Sequence, residues 1–211
     1  MMAALSAGMS LAQAPPSKPK TEQQTAPKAV VPKVEIGPAV HVTPSGCPDD
    51  MARFVATSGP FCVDRFEFPN QRGALPMAEV TYAEAAAQCA SQGKRLCTLG
   101  EWQQACRGAA NLKFPYGNDY IEGICRTAEL IDSGPVCTGS KLACRGSERV
   151  FDMSGNVAEW VAAPRRAAMA QVCGGNWTAR NAEASCAGVL MFPINQSQPT
   201  LGFRCCKQAS R

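Results

Sequence analysis
The sequence predicts an α+β domain with two main helices, many short twisted strands and little other regular secondary structure. Three observations carry that reading. Two Thr-x-x-Glu capping boxes, Thr81 to Glu84 and Thr98 to Glu101, each lead into a run with helical spacing that a glycine ends. Elsewhere the apolar runs are short and punctuated by 18 glycines and 16 prolines. The chain has 211 residues. Less a polar N-terminal tail, that leaves about 165 residues, enough for one domain with a real core.

Taken in order, the chain opens on Met1 to Ala14, small and apolar, ending in Ala12-Gln13-Ala14. That is the A-x-A pattern of a signal-peptide cleavage site, so residues 1–14 are read as a signal peptide and Pro15 as the mature start. The positive n-region is missing, as in a truncated start. The run is too short for a transmembrane helix. Residues 15–45, rich in Pro, Lys, Gln, Thr and Ala, read as a disordered linker. The folded domain is placed at residues 46–211.

Within it, Phe61 to Phe68 alternates and reads as a strand. A helix is expected from Tyr82 to about Gln92, stopped at Gly93, with Tyr82, Ala86 and Cys89 inward. The second helix ends at Gly108 and turns Trp102, Ala105 and Cys106 toward the core. Asn111 to Arg149 has little regular pattern and carries Cys125, Cys137 and Cys144, so it reads as a loop-rich insertion pinned by disulfides. Gly174-Gly175-Asn176-Trp177 is expected to start a strand after a close approach of backbones. Gly202 to Cys206 is the expected closing strand. Alternation puts Cys205 inward with Phe203 and Cys206 on the other face.

The inventory excludes several functions. A net charge of +4, from 21 basic and 17 acidic residues without a long basic run, argues against nucleic acid. The sole histidine, His41, lies in the linker, so the domain has no imidazole for a metal site or a general base. Twelve cysteines, dispersed and without a C-x2-C pair, point to disulfides and not zinc. The expected location is therefore periplasmic or extracellular.

The densest chemistry lies in Phe151 to Trp160, FDMSGNVAEW. Val150-Phe151 reads as a strand end and Ser154-Gly155-Asn156 as a turn, since Gly and Asn tolerate positive φ. Asp152 and Glu159 flank the turn. A chain that bends back there can aim two carboxylates and several carbonyls at one point, the donor set of a hard cation such as calcium.

Upstream stand GKRLCTLGEWQQACRG (Gly93 to Gly108) and FPYGN (Phe114 to Asn118); downstream stand GGNW (Gly174 to Trp177) and LGFRCC (Leu201 to Cys206). In that order and spacing the five blocks resemble the formylglycine-generating enzyme, or sulfatase-modifying factor, family, from about Phe61 to Cys206. The resemblance implies a C-type-lectin-like formylglycine-generating-enzyme fold. It also implies a structural calcium site, which carries over to Asp152, Gly155, Val157 and Glu159. A second family calcium site falls in the loop after FPYGN, and its ligands are left unassigned. The implied disulfides are Cys89–Cys205 and Cys106–Cys186. Cys206 then needs another partner, for which Cys173 is the candidate. The pairing of Cys47, Cys62, Cys97, Cys125, Cys137 and Cys144 stays open.

Active members of the resembled family bind copper through two cysteines, two and seven residues after the aromatic of the GG block. Soft thiolates in such a pair select Cu(I). Here those positions are Ala179 and Ala184, and the family serine is replaced by Asn176. Copper is therefore not expected, and no catalytic residue is assigned. The family's iron-dependent relatives need a histidine cluster that this domain lacks. Asn176-Trp177-Thr178 and Asn195-Gln196-Ser197 match the glycosylation pattern by chance. The sequence thus points to an exported, calcium-stabilised, disulfide-rich domain, monomeric and without a transmembrane segment. It would act as a binding or structural module toward a protein or glycan ligand. The competing reading is an active formylglycine-generating-type oxidase that modifies a cysteine in a target protein.

Overall fold
Both capping boxes form as the sequence requires, and they set the frame. Thr81 accepts from the Glu84 amide, and Glu84 returns to the Thr81 amide at 2.8 Å. Helix α1 therefore begins at once and runs Tyr82–Ser91, with Gly93 at φ +64° behind it. Thr98 and Glu101 repeat the arrangement ahead of α2, Leu99–Arg107, which Gly108 ends at φ +60°. The inner face of α2 carries Trp102, Ala105 and Cys106, all buried. On α1, Ala85 and Cys89 are fully buried, while Tyr82 and Ala86 pack half-buried on the same cluster.

The computed structural model describes residues 46–128 and 134–210. The expected signal peptide, 1–14, and linker, 15–45, lie outside the described residues. Those described fall within one compact unit, Ala39–Arg211. No described helix is long and apolar enough to cross a membrane.

Two four-stranded sheets complete the fold. The first has the order β1 (Met51–Ala56), β2 (Gly59–Asp64), β8 (Cys205–Gln208), β3 (Arg95–Leu96), antiparallel throughout. The second has the order β6 (Val189–Pro193), β5 (Met169–Cys173), β4 (Ala158–Trp160), β7 (Leu201–Phe203), antiparallel except for the parallel pair β4 and β7. Two apolar clusters fill the fold, one mainly under each sheet. Phe54, Phe61, Val63 and Trp102 anchor the first; Phe68, Trp160, Leu201 and Phe203 anchor the second.

The structure revises several expectations. The strand from Phe61 stops at Asp64, because Glu67 turns inward to accept from Asn156 and Val157. Val150-Phe151 does not end a strand; Phe151 makes only an isolated bridge to Arg145. The strand at the Gly-Gly pair precedes it: β5 ends at Cys173, and Gly174 and Gly175 both take positive φ. The closing strand is two strands in different sheets, broken at Arg204.

Five disulfides staple this arrangement. Cys89 pairs with Cys205 and Cys106 with Cys186. The others are Cys47–Cys62, Cys97–Cys206 and Cys125–Cys144. Cys206 is thus not joined to Cys173. It belongs to the first sheet, whose register sets it opposite Arg95 on β3, within reach of Cys97. Cys137 and Cys173 are free thiols, so the insertion is pinned by one bridge and not by all of its cysteines.

Candidate functional site
Residues 151–160 form the centre of the molecule, and every one of them is buried. Gly155 is required here. Its φ is +78°, and a Cβ would lie 2.1 Å from the Arg126 carbonyl oxygen. Asp152 and Asn156 also take positive φ, so the turn folds tightly back on itself.

That turn delivers Asp152 and Glu159 to a cluster around Arg204. The Arg204 guanidinium donates to Glu159 twice, Nε to Oε2 and Nη2 to Oε1, both at 2.7 Å. It also donates to the carbonyls of Phe151 and Asp64 at 2.9 and 3.1 Å. Trp102 Nε1 adds a 2.7 Å bond to Glu159 Oε2. Asp152 Oδ2 accepts from the Gly139 amide at 2.6 Å. The third acid is Glu67, which accepts from the Asn156 side chain at 2.6 Å and from the Val157 amide at 3.1 Å. All three carboxyl groups and Arg204 are at most 2 % exposed.

One buried cation among three buried acids leaves an excess of negative charge, and the acids respond. Burial, then repulsion by Asp152 and Glu159, pushes Glu67 well above the usual carboxylate range. Burial raises Asp152 to about 6. Burial works against the charge of Arg204, but Glu159 and then Glu67 and Asp152 hold its pKa above the ordinary value. A neighbouring acid, Asp64, is likewise raised to about 6 by burial, although Lys94 lies 2.7 Å away.

The donor chemistry suits a hard cation, although among the described residues no three acidic, thiol or imidazole side chains converge as a metal cage on their own. Neither the Gly155 nor the Val157 carbonyl accepts a hydrogen bond among the described residues. Asp152 Oδ1 is likewise not used in a hydrogen bond there, and Glu159 has accepted three bonds. A carboxylate offers about four acceptor positions, so one remains on Glu159 Oε1. Sequence reasoning singled out Asp152, Gly155, Val157 and Glu159. It missed Glu67 and Arg204, whose only signal was charge inside otherwise apolar blocks.

A second place of interest surrounds the Gly-Gly pair. A small cavity of about 70 Å³ is lined by Gly175, Asn176, Thr178, Ala179, Glu183 and Leu190, among others. Ala179 and Ala184 are buried methyl groups. The Ala184 carbonyl accepts from the Ser154 hydroxyl at 2.6 Å, which ties this segment to the central turn. The free Cys173 is fully buried, and burial pushes its thiol far above the ordinary value, away from the thiolate form.

A family model for the sulfatase-modifying factor enzyme 1-like domain matches residues 49–209, most of the chain. This protein belongs to that family. Among curated relatives, this domain is 28% identical over 155 residues to the Inactive C-alpha-formylglycine-generating enzyme 2 of Bos taurus. The match covers 65% of this chain and 52% of the relative, so the chain spans about half the length of that protein. Among solved structures, PvdO from Pseudomonas aeruginosa superposes with a TM-score of 0.60 at 17% identity, over 73% of this chain and 82% of PvdO. Variable protein 1 of Treponema denticola gives 0.63 at 13% identity, over 75% of this chain and 94% of its own. At such identities these likenesses speak for the fold alone. The sulfatase-modifying factor domain is thus built here as two helices and two small sheets held by five disulfides.

Proposed function
We propose that this protein is an exported, calcium-stabilised binding or structural module of the sulfatase-modifying factor family, without a copper site and without oxidase activity. The observation that carries the reading is the pair Ala179 and Ala184. They occupy the positions that the resemblance assigns to copper-binding thiolates, and both are buried methyl groups. Activation of O2 is cofactor chemistry that unaided side chains do not perform. Of the twelve cysteines, ten are in disulfides and the two free ones stand elsewhere in the sequence. The bovine relative's description as inactive supports the same conclusion.

Calcium would be held by Asp152, the Gly155 and Val157 carbonyls, and the remaining position on Glu159. When bound it would supply positive charge to a buried cluster that lacks it. Five disulfides support an oxidising location outside the cytoplasm.

The test is turnover of a sulfatase-type peptide containing Cys-x-Pro-x-Arg, with and without Cu(I). No formylglycine above a no-enzyme control is expected. Copper-dependent product would overturn the non-catalytic reading. The converse variant, Ala179→Cys with Ala184→Cys, is expected to bind Cu(I) in a linear two-sulfur site detectable by X-ray absorption.

A further inference from the structure
Away from the central cluster lies a cavity of about 540 Å³ lined by four arginines, Arg65, Arg72, Arg145 and Arg149. Among the described residues a single acid, Asp49, lines it as well. Its apolar lining includes the stacked rings of Phe66 and Phe151, with centroids 5.1 Å apart. Leu142 also lines it and is 60% exposed.

Arg65 is positioned by backbone carbonyls, with Nη1 donating to Glu148 O at 2.7 Å. Among the described residues none of the four makes an ion pair. Arg145 and Arg149 flank a fixed turn. Gly146 donates to the Val150 carbonyl at 3.0 Å, and the adjacent Cys144 is tied to Cys125. A second cavity of about 410 Å³ shares Arg145 and Arg149 and adds Tyr116. The surface is therefore elongated, not a single-anion pocket.

We propose that this basin binds an acidic peptide segment with an aromatic or large aliphatic anchor. Arginine forks match carboxylates in geometry as well as charge. The aromatic floor and the exposed Leu142 offer apolar contact that an anchor side chain uses and a highly charged glycan does not. The inference deepens the binding-module reading and rests on it.

The probe is a capped Asp-Glu-Asp-Phe-Asp-Glu peptide, titrated into the oxidised full chain by fluorescence anisotropy. Binding is expected, weakening as salt rises. Arg145→Gln with Arg149→Gln should weaken it on the order of tenfold, as two partly exposed charge contacts would. Arg165→Gln with Arg166→Gln removes the same charge from an exposed loop and should leave it unchanged. If the basin double variant melts early, Arg72→Gln replaces it. Its side chain makes no hydrogen bond or ion pair among the described residues. The proposal is overturned by no binding, by equal loss in both double variants, by equal binding of a neutral Asn-Gln-Asn-Phe-Asn-Gln peptide, or by tighter binding of a sulfated oligosaccharide. Such failures leave the non-catalytic reading standing, since formylglycine assay alone decides that.

Discussion
Arg204 grips Glu159 with two parallel hydrogen bonds of 2.7 Å at the residue where the chain leaves one sheet for the other. The pair is fully buried, so its geometry matters more than its charge count. Removing Arg204 strands three acids; removing Glu159 leaves Arg204 with two acids nearby. Arg204→Met should therefore lower the unfolding free energy by about 3–5 kcal/mol, and Glu159→Gln by less. Urea unfolding decides it, and the reverse order would sink this account of the cluster.

Calcium should stabilise the domain, because a ligand that binds only the folded state does so by mass action. The gain is about 2.7 kcal/mol at a hundredfold excess over Kd. Chelation should lower the melting temperature, and Asp152→Ala should remove that response. Asp152 is the better probe, since Glu159 also holds Arg204. A calcium-loaded sample indifferent to chelator would rule the site out.

Asp64 provides a pH signature independent of the metal. Burial raises it from 3.8 to about 6 against the pull of Lys94. A raised carboxyl favours folding in acid. Its contribution is complete below pH 3.8 and is lost as pH rises through about 6, a change of about 3 kcal/mol. Asp64→Asn should flatten the stability profile over that window relative to the parent. An unchanged slope in urea titrations between pH 4 and 7 would contradict it.

Thiol mapping should find five bridges and two unequal thiols. Cys137, half-buried, should alkylate in the native protein, and Cys173, fully buried, only after denaturation. Cys89→Ala with Cys205→Ala opens a link across 116 residues. For a loop of that order the chain-entropy model gives about 4.7 kcal/mol. Peptide maps joining Cys206 to Cys173 would refute the strand register.

Both helices were legible to within a residue because their signals are local: a threonine, a glutamate three residues on, and a terminal glycine. The five motif blocks carried the family. The charged centre was not legible as a whole, because Glu67, Glu159 and Arg204 are brought together from distant parts of the chain. Nothing near Glu67 distinguishes a buried acid from an exposed strand residue. The break at Arg204 was hidden for a related reason. Period-2 alternation runs straight through Gly202 to Cys206, and only pairing with two different sheets divides it. Strand β1 was missed because Met51–Ala56 has no clear alternation without its hairpin partner.

The split of the last strand pair dictates a folding order. Strand β7 completes one sheet through β4, while β8 sits between β2 and β3 in the other. The adjacent Cys205 and Cys206 reach back to Cys89 and Cys97, one on each side of the turn between α1 and α2. Neither sheet can close until this segment has been synthesised and has left the ribosome. A chain emerging N-terminus first therefore holds Cys89 and Cys97 as waiting thiols, open to pairing with the wrong partner. Correct pairing of two neighbouring sulfurs then rests on reshuffling of wrong bridges by thiol–disulfide exchange more than on the speed of oxidation.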